Sequence, residues 1–534
     1  MWLAGLLLVC LASAHATAGD AVFSQIDSIV KSISDITGLP EKHSVPYGRM
    51  SKRQLRQFLN KRIKKSLKPE EIYADELALK MFGFVPQDFD LRKSTVDLLT
   101  EQAAAFYDYD EKKLFLMEDS SVVGDTVTLA HELTHALADQ HFHLNNFMDD
   151  TPASDDENLA HSAVVEGEAT WVMLAYGLKQ AGQPAVPTPE MIRSMSSSGQ
   201  SSMAEFPVLR EAPLYIQQSL LFPYSYGAAF FDAVYRKLGK RAFTEVFAHP
   251  PVDSAQIIHP DRYFAHEQPA RPPLPPLPSK RSGVITDGSV GEFDHQMLIR
   301  AYVGEQEATL LAPHVRGGQF KILSTGDGHR PVLEYSSEWD SPDNAVRFSR
   351  AYEKILCGKW KVCDVTVKED GMLAGSGDNG LFIARYKGRT FSSVEGLSSE
   401  AEWRDLKTAW SAEWQAQVVV PKKTLPAVIA AAPSRTTLRY TEVGENREDC
   451  CRFSIERRTP GLLPDSCRAA EGTRAGVHHT RPGAEAAQSI PREGGSSRVY
   501  LHDVPSLPGG FQGNDQIPAG VWTARTSGPG YCCE

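Results

Sequence analysis

Residues 128–144 read TLAHELTHALADQHFHL and hold four histidines, His131, His135, His141 and His143. Apolar residues recur there every three or four positions, which is typical of an amphipathic helix. His131 and His135 are four residues apart, so a helix places their imidazoles on one face, one turn apart, where they can share a metal ion. His141 and His143 come after the last clear turn of the pattern, and we expect them in a loop.

Glu132 completes an HExxH motif with the two histidines. It is offset by one residue from them, so its carboxylate can reach a water on the metal without binding the metal itself. This combination indicates a zinc hydrolase in which Glu132 is the general base. The expected cofactor is Zn²⁺, with His131 and His135 as ligands.

A catalytic zinc ion needs a third protein ligand and an open position. The helical pattern DENLAHSAVVEGEATWVML (156–174) offers Glu166 and Glu168. Residues two apart on a helix do not share a face, so only one of the two can reach the metal. We prefer Glu166, because Thr170 one turn later can support the same face, and Glu168 is the alternative. His161 lies off this face and is expected at the surface.

The segment EQAAAFYDYDEKKLFLM (101–117) precedes the histidine helix. Two β-prone runs flank turn residues at 108–110, which predicts a β-hairpin. A second hairpin is predicted in LFIARYKGRTFSSV (381–394), turning at Lys387-Gly388.

Together these motifs resemble the gluzincin branch of the zincin metallopeptidases. They look closest to a largely uncharacterised exported family with HELTH and VEGEAT motifs. The resemblance covers roughly residues 70 to 410. The segments that carry it are TEQAAAFYDYDEKKLFLM, HELTHALADQHF, VVEGEAT, FPYSYGAAFFDAVY, QIIHPDRY, GEFDHQMLI, EWDSPDNAVRFSRAY and RYKGRTFSSVEGL.

The resemblance implies an α+β zincin-like catalytic domain, with the HExxH helix packed on a mostly antiparallel sheet and the glutamate helix below the cleft. It also implies that extended substrate pairs with the strand in EQAAAFYDYD. The sequence departs from the family at two positions. Thr170 stands where better-known gluzincins carry an acidic residue that supports the zinc, and Glu168 stands where an aspartate is expected.

Zinc-dependent hydrolysis also needs a donor that stabilises the negative oxygen of the attacked carbonyl. The candidates are Tyr224 and Tyr226 in FPYSYGAAFF, and His259 in QIIHPDRY. The alternative for each is an ordinary packed aromatic or a loop histidine.

Composition divides the 534-residue chain into segments. The predicted segments are a signal peptide (1–18), a helical prelude (19–70), the metallopeptidase domain (71–267), a proline-rich linker (268–284), a small α+β accessory domain (285–415) and a low-complexity tail (416–534). After Lys423 the tail has twelve arginines and no lysine. It is either disordered or disulfide-stapled, or it reflects a shifted reading frame.

The net charge is −11, so nucleic acid is not an expected partner. The N-terminal sequence MWLAGLLLVCLASAHATAGD predicts export, and its apolar run is too short to span a membrane. No other span is expected.

Cys357 and Cys363 form either a disulfide or a pair of buried thiols. The sequence gives no indication of oligomeric state.

The sequence therefore predicts an exported zinc-dependent peptidase that acts on a peptide or protein substrate. One alternative is a zinc hydrolase of another amide or ester. The other is a catalytically silent metal-binding or interaction protein. The presence of Glu132 argues against a catalytically silent protein, because a structural metal site does not need that carboxylate.

Overall fold

Helices separated by a few short strands dominate the first half of the chain, and a large sheet occupies the second. The computed structural model describes residues 24–118, 126–149, 154–194, 206–275, 277, 283–324, 330–369 and 371–418. All of these belong to one compact unit. The predicted signal peptide and the tail after residue 418 lie outside the described residues.

The first half contains α1 (Ile26–Thr37), β1 (Tyr47–Met50), α2 (Lys52–Ser66), α3 (Pro69–Phe82), α4 (Leu91–Gln102), β2 (Ala105–Asp108), β3 (Lys113–Met117), α5 (Thr126–Phe142), α6 (Leu144–Asp149) and α7 (Asp155–Gln180). After it come α8 (Pro207–Glu211), α9 (Leu214–Leu238), α10 (Ala242–Ala248), α11 (Ser254–Ile258) and α12 (Pro260–Phe264). The second half contains β4 (Gly283–Ser289), α13 (Glu292–Tyr302), α14 (Glu305–Leu311), β5 (Val315–Ser324), β6 (Val332–Trp339), α15 (Pro342–Lys359), β7 (Cys363–Glu369), β8 (Met372–Gly377), β9 (Gly380–Lys387), β10 (Thr390–Leu397) and α16 (Glu400–Val418).

Polar N-caps fix where several helices begin. Ser51 accepts a hydrogen bond from the Gln54 amide at the start of α2, and Ser154 accepts one from the Glu157 amide at the start of α7. Each cap satisfies a backbone N–H that has no partner within its helix. The cap at Ser154 begins the helix that carries Glu166.

A three-stranded sheet with the order β1-β3-β2 precedes α5. Strands β2 and β3 form the predicted hairpin, with Ala105 opposite Leu116, while β1 pairs with β3 in parallel. Successive side chains of a strand point to opposite faces. Phe106 accordingly joins the apolar cluster of α2 and α4, and Tyr107 joins the cluster that contains α5.

Helix α7 packs between α5 and α9, and α1 covers α5 and α7. The helices are held by one apolar cluster that includes Leu133, Ala163 and Phe230. This layer places the HELTH helix beside the glutamate helix.

The second sheet has seven strands in the order β4-β5-β6-β10-β9-β8-β7, and every neighbouring pair is antiparallel. Helix α15 packs on it through Phe348 and Tyr352, and α16 packs through Trp410.

The predicted hairpin of β9 and β10 is confirmed, with Gly388 in the turn at a φ of 56°. A disulfide joins Cys357 to Cys363, which selects the bridge over buried thiols.

The helical first half and the sheet of the second half pack against each other. Met81 and Phe82, at the end of α3, belong to the apolar cluster of the seven-stranded sheet, where Phe82 lies edge-on to Phe320 and Tyr335. The described beginning of the proline-rich stretch lies along β5, because the Ala270 amide donates to the Arg316 carbonyl at 2.7 Å.

The predicted α+β class, with mostly antiparallel strands, is confirmed. The sheet beside α5 is mixed, however, because β1 from the predicted helical prelude adds to it in parallel. Helix α5 extends to Phe142, so His141 lies in its last turn and not in a loop. None of the helices among the described residues has the length and apolar character to cross a membrane.

Candidate metal site

His131 and His135 of α5 converge on Glu166 of α7. Nε2 of His131 lies 3.2 Å from Oε2 of Glu166, and Nε2 of His135 lies 3.7 Å from the same oxygen. One ligand atom from each residue falls within 4.8 Å of the others. All three side chains are at least nine-tenths buried. This buried group could hold a metal ion, and we call it the three-residue group.

Burial determines the protonation of this group. It lowers the pKa of His131 to about 3, and burial together with the charge of His131 lowers the pKa of His135 well below its usual value. Both imidazoles are therefore neutral near pH 7, which is the form that binds a metal. Burial and the charge of Glu132 raise the pKa of Glu166, while a hydrogen bond from Tyr224 lowers it. A bound cation would favour the ionised carboxylate.

Glu132 lies beside the three-residue group and is not part of it. Its side chain is fully buried, and Oε2 accepts a hydrogen bond of 3.0 Å from the backbone N–H of Tyr107. Tyr107 belongs to β2, at the edge of the three-stranded sheet. The edge strand thus fixes the orientation of the carboxylate.

Tyr224 is the predicted donor that the structure brings to the group. Its ring stacks on His131, with ring centroids 6.0 Å apart, and its hydroxyl donates to Glu166. Tyr226 is 37% exposed and stacks on Phe222.

His259 is engaged elsewhere. Its Nε2 lies 2.7 Å from Oε1 of Glu292, which also pairs with Arg262. The imidazole therefore belongs to a polar network with α13 and does not join the three-residue group.

Glu166 reaches the histidines and Glu168 does not, in agreement with the preferred assignment. Glu168 is also buried, and burial raises its pKa well above the usual value. The expected support of Glu166 by Thr170 is wrong, because the Thr170 hydroxyl has no hydrogen-bond partner among the described residues. Tyr224 contacts Glu166 instead.

The remaining histidines have structural contacts. His161 was expected at the surface, but it is 2% exposed and stacks on Phe147. His141 Nε2 donates to the Pro40 carbonyl at 2.7 Å. His143 follows α5 with a φ of 53°. None of the three belongs to the three-residue group.

Two residues near the site were missed from the sequence. Asp139, one turn after His135, accepts hydrogen bonds from the Tyr107 hydroxyl at 3.0 Å and from Lys112 Nζ at 2.8 Å. Tyr109 lies with its ring edge against His135 at a centroid distance of 6.4 Å. Both could have been suspected, because Asp139 continues the ligand face of α5 and Tyr109 directly follows β2.

Comparison of the chain with protein-family models, curated proteins and solved structures finds no match. The family resemblance therefore stays a prediction from the motifs.

Proposed function

We propose that the chain is a zinc-dependent peptidase, with His131, His135 and Glu166 as ligands and Glu132 as general base. The observation that carries the proposal is the arrangement of these four side chains. Three converge on one point, while the fourth, the Glu132 carboxylate, lies beside them and is oriented by the Tyr107 N–H at 3.0 Å. A purely structural metal site does not need such a carboxylate.

The donor set fits Zn²⁺. Two neutral imidazoles and one carboxylate are typical ligands of catalytic zinc, and three protein ligands leave a fourth position open. Zn²⁺, when bound, polarises a carbonyl and lowers the pKa of water to about 7. His135 Nε2 is buried and has no hydrogen-bond partner in the described part of the chain, as expected for a nitrogen that serves as a metal ligand.

The residues of the chain then divide the proton transfers of hydrolysis between them. Glu132 accepts a proton from the attacking water as the new C–O bond forms, and it delivers that proton to the amide nitrogen as the C–N bond breaks. The products are a carboxylic acid and an amine. The Tyr107 N–H holds Glu132 in place, and Tyr224 orients Glu166 by its hydrogen bond.

The zincin-like fold, export and a polypeptide substrate belong to the same proposal. Strand β2 lies at the edge of its sheet next to α5, and an extended peptide would add beside it once the elements that bury the strand move. The apolar run in residues 1–18 supports export.

One observation favours a second candidate, a metal-binding protein without turnover. His131, Glu132 and His135 are each at most 1% exposed, and Glu166 is 5% exposed. A peptide can reach them only if the surrounding elements move. A zinc hydrolase of another amide or ester faces the same requirement.

The full chain, loaded with zinc, should cleave an unstructured protein substrate such as reduced casein. Glu132→Gln should bind zinc like the wild type and lose cleavage, because the general base is gone. Glu168→Gln, a buried carboxylate outside the three-residue group, is the matched control and should stay active. Zinc binding without cleavage by any variant would favour the silent alternative, and full activity of Glu132→Gln would exclude the proposed base.

A further inference from the structure

We propose that Tyr109 is a further catalytic residue of this site. Its hydroxyl donates a hydrogen bond to the substrate carbonyl oxygen while that oxygen gains negative charge. The inference rests on the proposed hydrolytic function and assigns the stabilising donor to a residue outside the three sequence candidates.

The position of Tyr109 is the first argument. It directly follows β2, the edge strand whose Tyr107 N–H orients Glu132. Its ring contacts His135 edge-on, at an interplanar angle of 81°. Tyr109 therefore lies between the ligand helix and the hairpin, with its ring against a proposed metal ligand.

The hydrogen-bonding state of Tyr109 is the second argument. Of the described tyrosines at or beside the site, Tyr107 donates to Asp139 and Tyr224 donates to Glu166. The Tyr109 hydroxyl is buried and has no hydrogen-bond partner within the described ranges. A buried hydroxyl without a partner is costly, so it gains most from an acceptor that arrives with the substrate.

The chemistry of a phenol is consistent with a donor. The phenol keeps its proton at neutral pH and can donate it to a hydrogen bond. No proton leaves the hydroxyl in this role.

The other candidates are less suited to the role. The Tyr224 hydroxyl already donates to Glu166, and His259 is paired with Glu292. Tyr226 is partly exposed and stacks on Phe222.

The first test is Tyr109→Phe in the zinc-loaded full chain. We expect kcat to fall about 100- to 1,000-fold, as for loss of one oxyanion donor, with KM changed by only a few-fold. Zinc affinity and thermal stability should not fall, because the lost hydroxyl holds no partner in the fold. Tyr73→Phe, on an exposed ring, is the control. Wild-type kcat in Tyr109→Phe would overturn the inference.

The second test does not depend on peptide cleavage. Co²⁺ replaces zinc, and the visible absorption of the cobalt protein reports the binding of acetohydroxamic acid, whose oxygens take the place of the substrate oxygen. We expect Tyr109→Phe to weaken this binding at least about tenfold. Equal affinity in both proteins overturns the inference even if peptides are cleaved. Weaker binding in a protein that cleaves no peptide rejects the peptidase function but retains the donor role of Tyr109. A wild-type chain that binds neither metal overturns both.

Discussion

Gly167 and Gly227 bring the backbones of α7 and α9 into direct contact. A Cβ on Gly167 would lie 2.2 Å from the carbonyl carbon of Gly227, and a Cβ on Gly227 would lie 2.2 Å from the Ala163 carbonyl oxygen. The contact is one residue from Glu166 and three residues from Tyr224. The two glycines therefore set the helix separation at which the Tyr224 hydroxyl reaches Glu166.

Gly167→Ala should destabilise the protein by about 3 kcal/mol, at the upper end of overpacking effects, because backbone atoms cannot move aside as a side chain can. The measurement is urea unfolding followed by circular dichroism. Gly177→Ala in the same helix is the control, since its new Cβ would meet only Val127 at 4.0 Å. That variant should gain about 0.5–1 kcal/mol from the lower flexibility of alanine. Equal stability of the two variants would contradict the backbone contact.

Glu166→Gln should weaken Zn²⁺ binding by at least about 100-fold, since it removes one of three ligands together with its charge. Glu168→Gln should leave Zn²⁺ affinity within a few-fold of the wild type. Competition with a chromophoric chelator measures both. The opposite order of affinities would make Glu168 the third ligand.

A buried group of acids should make stability pH-dependent. Asp156, Asp253 and Asp294 lie where α7, α11 and α13 meet, and burial raises the pKa of Asp253 and of Asp294 to about 6. The folded state therefore binds protons more tightly than the unfolded chain, in which the pKa is near 3.8. By linkage, this contribution stabilises the protein fully below about pH 4 and is lost as the pH rises through 6.

Asp294→Asn isolates this effect. The carboxyl group accepts from the Gly291 N–H at Oδ2 and from the Tyr215 hydroxyl at Oδ1, so the single amide oxygen keeps one of these two bonds. The comparison is therefore made on the change in stability with pH and not on its absolute value. We expect the variant to lose less stability than the wild type between pH 4.5 and pH 7.5, by roughly 1–3 kcal/mol, since one pKa unit corresponds to about 1.4 kcal/mol. Melting temperatures across this range provide the comparison. Parallel curves for the two proteins would show that Asp294 does not titrate there.

The buried ion pair of Lys359 and Glu395 should be far more sensitive than an exposed one. Their side chains are 2% and 0% exposed, and Nζ lies 2.7 Å from Oε2. Glu395→Gln leaves the lysine charge without its counter-ion, and we expect a loss of about 3–5 kcal/mol in denaturant unfolding. Glu338→Gln, which breaks an exposed pair with Arg389, should cost about 1 kcal/mol or less. Similar losses in both would argue that Lys359 is neutral in the fold.

The sequence was most informative where local spacing determines geometry. The four-residue spacing of His131 and His135 was enough to place both imidazoles on one face of α5, and the turn at 108–110 was enough to predict the hairpin before it. The third ligand could only be narrowed to Glu166 or Glu168. The choice depends on how α7 is rotated against α5, which is set by long-range packing such as the Gly167–Gly227 contact.

Other features could not be predicted from the sequence around them. His161 reads as a surface residue, yet it is buried by the ring of Phe147 from α6. Tyr109 reads as a turn residue, and its place against His135 follows from the way Asp139 and Lys112 hold the hairpin on α5. The pairing of β1 with β3 joins positions about 67 residues apart and cannot be read from either segment alone.

The insertion of α3 into the core of the large sheet has a consequence for dissecting the molecule. Lys359 donates to the Met81 carbonyl at 2.8 Å, and Phe82 fills the space between Phe320 and Tyr335. A polypeptide that begins after the proline-rich stretch would therefore carry an open apolar notch on its sheet. Produced as separate fragments, the two halves should be poorly soluble alone and should recover a native-like state on mixing, with α3 as the element that recombines them.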